Sequence, residues 1–127
     1  MVVAPAGHTV RHMSSGGDTR VLRFSGELDM VTARGIASDL SQAVGDMTTT
    51  PVVDLRTVTF IDSMALAALA HAGEQLRNQG RVLALVVRDH GPVRDLLDES
   101  GLADRFELLS ALPEAAPGST QDPAPAA

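Results

Sequence analysis

The spacing of apolar residues changes several times along the chain, and each change marks an element. Thr19 to Ser25 alternates, with Leu22 and Phe24 on one face, as a β-strand does. From Met30 to Gly45, Ala33, Ile36, Ala37, Leu40 and Val44 fall at helical spacing. That predicts an amphipathic helix, with Asp29 or Thr32 able to cap its start. Pro51 to Leu55 reads as a short strand. Ser63 to Gln79 reads as a second helix, with Leu66, Leu69, Ala70, Gly73 and Leu76 on one stripe and Asn78 and Gly80 as its stop. Val82 to Val87 is apolar throughout, which suits a strand covered on both faces of a parallel sheet. A third helix starts near Pro92, buries Val93, Leu96 and Leu97, and stops at Gly101. Phe106 to Leu109 predicts a last short strand and His8 to Met13 an opening one.

The alternation β-α-β-α-β-α-β predicts an α/β fold. We expect a single domain over residues 8–112, with a mostly parallel or mixed sheet of four to five strands and helices packed on it. Ser14 to Asp18 is a turn-forming cluster. Pro113 to Ala127 carries Pro113, Pro117, Pro123 and Pro125 among small residues and reads as a disordered tail.

Composition narrows the function. The chain has 127 residues, enough for one domain with a real core. It has no cysteine, so neither a disulfide framework nor thiolate chemistry is available. Sixteen acidic side chains against ten basic ones give a net charge of −6, which argues against direct nucleic-acid binding. With no Trp, no Tyr and three Phe, a base-stacking platform is also unexpected. No apolar run approaches the roughly 18 residues that span a bilayer, and Met1 to Gly7 lacks the charge of a signal peptide. These features lead us to expect a soluble, cytoplasmic protein without membrane attachment.

A search for chemistry returns little. There is no phosphate-binding G-x-x-x-x-G-K-[ST] loop, no G-x-G-x-x-G and no G-x-S-x-G nucleophile elbow. His8 and His12 stand four apart, but in a segment that reads as strand or loop, with no carboxylate at ligand spacing. We therefore expect no metal site, no cofactor and no catalytic residue. His71 falls on a predicted helix surface. His90 is the one histidine near a loop at the sheet end where Ser63 stands, so an enzyme using Ser63 as nucleophile would lack a convincing base.

Two acidic turns stand out. One is Gly26-Glu27-Leu28-Asp29, and the other is Phe60-Ile61-Asp62-Ser63-Met64-Ala65-Leu66. In a parallel α/β sheet both fall at the carboxyl ends of strands, where such folds place their sites. Ser63 opens a helix, whose first N–H groups have no intrahelical partner. A phosphate there gains typically ~0.3–1 kcal/mol from the helix dipole. Two readings follow for Asp62-Ser63: a phosphoacceptor, or an ordinary helix cap. Asp29 has the same capping reading.

The pair G-E-L-D (Gly26 to Asp29) and D-L-x-x-V-x-F-I-D-S (Asp54 to Ser63), each followed by a helix, resembles the STAS family. The resemblance runs over roughly Val21 to Leu109 and takes in Val82 to Val87, Pro92-Val93, Ser100-Gly101-Leu102 and Phe106. It implies a binding module of the anti-sigma factor antagonist class, not an enzyme. In that class the serine aligned with Ser63 is phosphorylated by a partner serine kinase that is also the anti-sigma factor. The unphosphorylated protein binds the kinase and frees the sigma factor for transcription, and phosphorylation ends the binding. ATP and magnesium belong to the kinase. Asp29 and Asp62 align with acids expected to support the recognition surface. The alternative within the family is a scaffold or small-ligand sensor without a phosphorylation cycle. The chain departs from the family just after the serine. The family commonly has a hydroxyl residue and then Gly, whereas Met64 and Ala65 stand here, and Ala67 replaces another common Gly. Added side chains there narrow a kinase's approach or strengthen the helix. Met64 is a candidate apolar contact to the partner, or packs on the preceding loop.

Overall fold

The computed structural model describes residues 9–13 and 19–113. His8, the turn cluster at 14–18 and the tail beyond Pro113 lie outside the described residues. The elements are β1 (Thr9–Met13), β2 (Thr19–Leu28), α1 (Met30–Gly45), β3 (Thr50–Ile61), α2 (Ser63–Asn78), β4 (Ala84–Val86), α3 (Pro92–Ser100) and β5 (Glu107–Leu109). A 3-10 turn, Ala103–Arg105, precedes β5. Helix α1 spans the residues its periodicity predicts, and α2 stops at Asn78 with Gln79 as its cap.

The strands form one sheet in chain order, with β1 antiparallel to β2 and every later pair parallel. A parallel sheet that always grows in one direction puts all its crossover helices on the same face, given the usual right-handed connection. The core agrees. Ile36, Leu40 and Val44 of α1, Leu66, Leu69 and Leu76 of α2, and Val93 and Leu97 of α3 join one cluster with Leu22, Phe24, Val53, Leu55 and Leu85 from the strands. The pleat sends alternate residues to the other face. There Val52, Ala84 and Val86 make a smaller cluster with Leu109 and Leu112.

Strands β2 and β3 run past the ends that alternation predicts, Ser25 and Leu55, to Leu28 and Ile61. The cause is two breaks in register. Arg23 pairs with Asp54 but Ser25 with Thr57, and Gly26 pairs with Val58 but Glu27 with Phe60. Each break inserts an extra residue into β3, as a β-bulge does. The residues of β3 that join the core are therefore Val53, Leu55, Val58 and Ile61, and the spacing lengthens after Leu55. Gly26, at φ 79, supplies the left-handed backbone next to the second break. The two acidic turns thus shrink to single residues, Asp29 and Asp62, between a strand and a helix.

Helix faces differ from expectation mainly at alanines. Ala37 is exposed and Ala43 buried on α1, while Ala65 and Ala72 join the buried stripe of α2 and Ala70 packs half-buried against the core. Leu96 of α3 is half-buried. Glycines on two helices make a paired test. A Cβ at Gly35 would meet nothing within 4 Å, whereas one at Gly73 would stand 3.2 Å from Cε1 of buried Phe106. Ala exceeds Gly in helix propensity by about 0.8–1 kcal/mol. Gly35→Ala is expected to keep that gain and raise the melting temperature by a few degrees. Gly73→Ala is expected to show no gain, because the ring must shift. Thermal unfolding of both variants checks the pair.

Candidate functional site at the ends of β2 and β3

Leu28 and Ile61 are register partners at the ends of adjacent parallel strands. The chain leaves both strands at the same level, and the N–H of Asp62 donates to the Leu28 carbonyl at 3.0 Å. Helices α1 and α2 therefore start side by side. Each is capped by the carboxylate that precedes it. Asp29 Oδ1 accepts from the Val31 N–H at 3.0 Å and the Thr32 N–H at 3.2 Å. Thr32 Oγ1 in turn accepts from the Asp29 N–H at 2.9 Å, closing a capping box. Asp29 and Thr32, read from the sequence as alternative caps, act together. Asp62 Oδ1 accepts from the Ala65 N–H at 3.0 Å, and its carbonyl accepts from the Leu66 N–H.

The cap of α2 is thus Asp62, which leaves Ser63 as the first helical residue with its side chain exposed. No hydrogen bond to another described residue engages the Ser63 hydroxyl. The serine combines what a phosphoacceptor needs: solvent access, and a place over first-turn N–H groups that no intrahelical carbonyl can reach. An activated nucleophile would need a base at roughly 2.6–3.2 Å. Asp62 Oδ1 instead holds a backbone N–H, and the exposed His71 and His90 make no hydrogen bond to the serine. Among the described residues no group of His, Asp or Glu could hold a metal ion. His8 lies outside them, and His12 is placed only as part of β1.

The residues that depart from the family pattern separate by direction. Ala65 is fully buried, so its methyl group points into the core, away from an approaching partner. Ala67 and Met64 face solvent, Met64 at 55% exposure. Met64 therefore keeps more than half of its surface in solvent.

Met64 is not alone. Met30 and Val31 at the start of α1 are 70% and 75% exposed, and Phe60 near the end of β3 is 48% exposed. All lie within two positions of the paired caps along the chain, at the same end of the sheet. Large apolar side chains grouped in water mark an interaction surface. Sequence reasoning singled out Met64, Asp29, Asp62 and Ser63 but missed Met30, Val31 and Phe60. The available signal was their position flanking each cap, outside the helical stripes.

An exposed serine, two acidic caps and exposed apolar side chains thus share one end of an α/β sheet. Comparison with known proteins identifies the family. The STAS domain profile matches residues 12–115. The anti-sigma-F factor antagonist RsfB of Mycobacterium tuberculosis is 33% identical over 116 residues, covering 91% of this chain and 92% of that protein. The crystal structure of an anti-sigma factor antagonist from Mycobacterium paratuberculosis superposes with a TM-score of 0.74 at 30% identity, covering 87% of this chain and 92% of the other. The anti-sigma factor antagonist SpoIIAA in its unphosphorylated form shares the fold, with a TM-score of 0.63 at 19% identity, over 83% of this chain and 90% of that one. The chain belongs to the STAS domain family, among its anti-sigma factor antagonists. No helix among the described residues is long and apolar enough to cross a membrane.

Proposed function

We propose that this protein binds an anti-sigma factor that is also a serine kinase, and that phosphorylation of Ser63 switches the binding off. The bound state frees a sigma factor and so regulates transcription. The protein acts by docking, not by catalysis, and needs no cofactor of its own. ATP and magnesium come with the kinase, which sets the cycle in the cytoplasm. The exposed Ser63 hydroxyl at the first position of α2 is the observation that carries this reading. Asp29 and Asp62 fix the two helix starts around it, and Met30, Val31, Phe60 and Met64 supply apolar contact area. Depleted charge at the centre and polar groups at the edge is the usual anatomy of a protein interface.

The test uses the kinase captured by the unmodified protein. Purified kinase with ATP and magnesium is expected to add one phosphate, mapped by mass spectrometry to Ser63, and none to Ser63→Ala. Ser63→Ala should still bind, because the hydroxyl alone contributes little to a 20–30-residue contact of about the usual size. Modification at another residue would defeat the assignment. Binding without any phosphate transfer would make the protein an interaction module outside a phosphorylation cycle.

A further inference from the structure

Sulfur in this chain is confined to thioethers. There are five methionines and no cysteine, so a two-electron oxidant finds no thiol to attack first. Met30, Met47 and Met64 are the methionines whose side chains the structure describes, and all three stand in water, at 70%, 64% and 55% exposure. Their places differ. Met30 opens α1, and Met64 is the second residue of α2, next to Ser63. Met47 follows the end of α1, in the connection to β3, at the opposite end of the sheet. Two of the four large apolar side chains around the acceptor serine thus carry an oxidisable sulfur, while Val31 and Phe60 carry none.

Adding one oxygen atom to a thioether keeps the carbon skeleton and turns a soft, apolar sulfur into a polar S–O group. In the free protein that oxygen is hydrated, because both side chains are exposed, so the fold loses little. Under a docked partner the same oxygen leaves water. The contact around it is apolar, and burying a polar group without a hydrogen bond is unfavourable. A sulfoxide is neutral, so this loss is smaller than the one a buried dianion causes.

We propose that Met30 and Met64 are oxidation sites, at which a peroxide weakens partner docking independently of any phosphate on Ser63. This rests on the docking surface of the function proposed above. In the step, the thioether sulfur takes one oxygen of hydrogen peroxide as the O–O bond breaks. Hydroxide departs with the other oxygen, and the proton left on the new S–OH group joins it to make water. The sulfur gives up two electrons and the peroxide is reduced. Methionine sulfoxide reductases reverse the change with a dithiol, which becomes a disulfide while the oxygen leaves as water.

The experiment oxidises the free full-length protein with hydrogen peroxide, removes the peroxide, and titrates the kinase of the preceding test without ATP. Mass spectrometry maps the sulfoxides. The oxidised protein is expected to bind about tenfold more weakly than the reduced one, with its melting temperature unchanged. Affinity should return after treatment with a dithiol and reductases for both sulfoxide epimers. Each variant is compared with its own reduced form. Met30→Leu/Met64→Leu should show no loss on oxidation, although three methionines remain in it. Met47→Leu should lose affinity as the unmodified protein does. Equal affinity of the oxidised and reduced protein, or a loss that persists in the double variant, would overturn this inference and leave the phosphorylation switch standing. A tenfold loss on oxidation with no phosphate transfer to Ser63 would support it and count against that switch alone. A reduced protein that binds no kinase would remove the docking surface, and this inference with it.

Discussion

Phosphorylated at Ser63, the protein is expected to bind the proposed kinase partner at least about a hundredfold more weakly, a loss of about 2.7 kcal/mol, while its fold stays intact. The phosphate adds roughly −1.5 to −2 charges at pH 7. Within the domain the effects nearly cancel. The start of α2 favours an anion by about 0.3–1 kcal/mol, and the neighbouring Asp29 and Asp62 carboxylates oppose it. The side chain is exposed, so the modified residue stays in water and the melting temperature should barely move. In the complex the balance differs. Closing a partner over Met30, Val31, Phe60 and Met64 takes the same spot out of water, and a buried dianion without a counter-charge carries a penalty of several kcal/mol. Release therefore needs no change of shape in this protein. Calorimetric titration of both forms against the kinase measures the loss, and circular dichroism checks the fold. Ser63→Asp brings a single charge on a shorter side chain and should weaken binding by less. Undiminished affinity of the phosphoprotein would sink this mechanism. A large drop in its melting temperature would replace it with one in which the domain itself rearranges.

The elements of this fold were legible wherever one period held. Met30–Gly45 runs as a single amphipathic helix and was bounded correctly. Leu22 and Phe24 share the core face that their alternation implies. Legibility failed where the period broke. Two bulges make β3 present Leu55, Val58 and Ile61 to the core, a spacing that belongs to neither a regular strand nor a continuing helix. Alanines are the least legible because a methyl group is at home on either side of a helix: Ala37, at core spacing, is exposed, and Ala43 is buried. At the site, Asp29, Asp62 and Ser63 were visible because helix starts leave a chemical signature. Met30, Val31 and Phe60 were not, because a sequence pattern assigns large apolar residues to the core unless something shows them left out in water.

The register that sets Arg23 opposite Asp54 underlies the largest expected loss of stability. Asp54 is the single charged residue in the buried set, at 2% exposure, on the sheet face opposite the helices. Arg56 donates to it through its backbone N–H at 3.1 Å, Nε at 3.0 Å and Nη2 at 2.9 Å, and Arg23 donates through Nε at 3.1 Å. Removing one member of a buried pair costs about 3–5 kcal/mol when the survivor is trapped. Here the survivors are not trapped, since Arg23 and Arg56 are about a third exposed and can turn to water. Asp54→Ala is therefore expected to lose about 2–4 kcal/mol at pH 7, lowering the melting temperature by about 10 °C. Asp54→Asn keeps the shape but not the charge and should fall between Asp54→Ala and the unmodified protein. The pH dependence gives an independent check. Burial alone would raise the carboxyl pKa, but the hydrogen bonds from Arg56 and the charges of Arg56 and Arg23 outweigh it and hold the pKa below its ordinary value. A folded pKa below the unfolded one means that the stabilisation is complete above about pH 4, the usual unfolded value. It is lost as the pH falls further, through the folded pKa. The stability gap between the unmodified protein and Asp54→Asn should thus be constant from neutral pH to about pH 5 and close in stronger acid. Urea unfolding of both at pH 7, 5 and 3 would read it, and a gap undiminished at pH 3 would overturn the assignment of this stabilisation to the Asp54 charge.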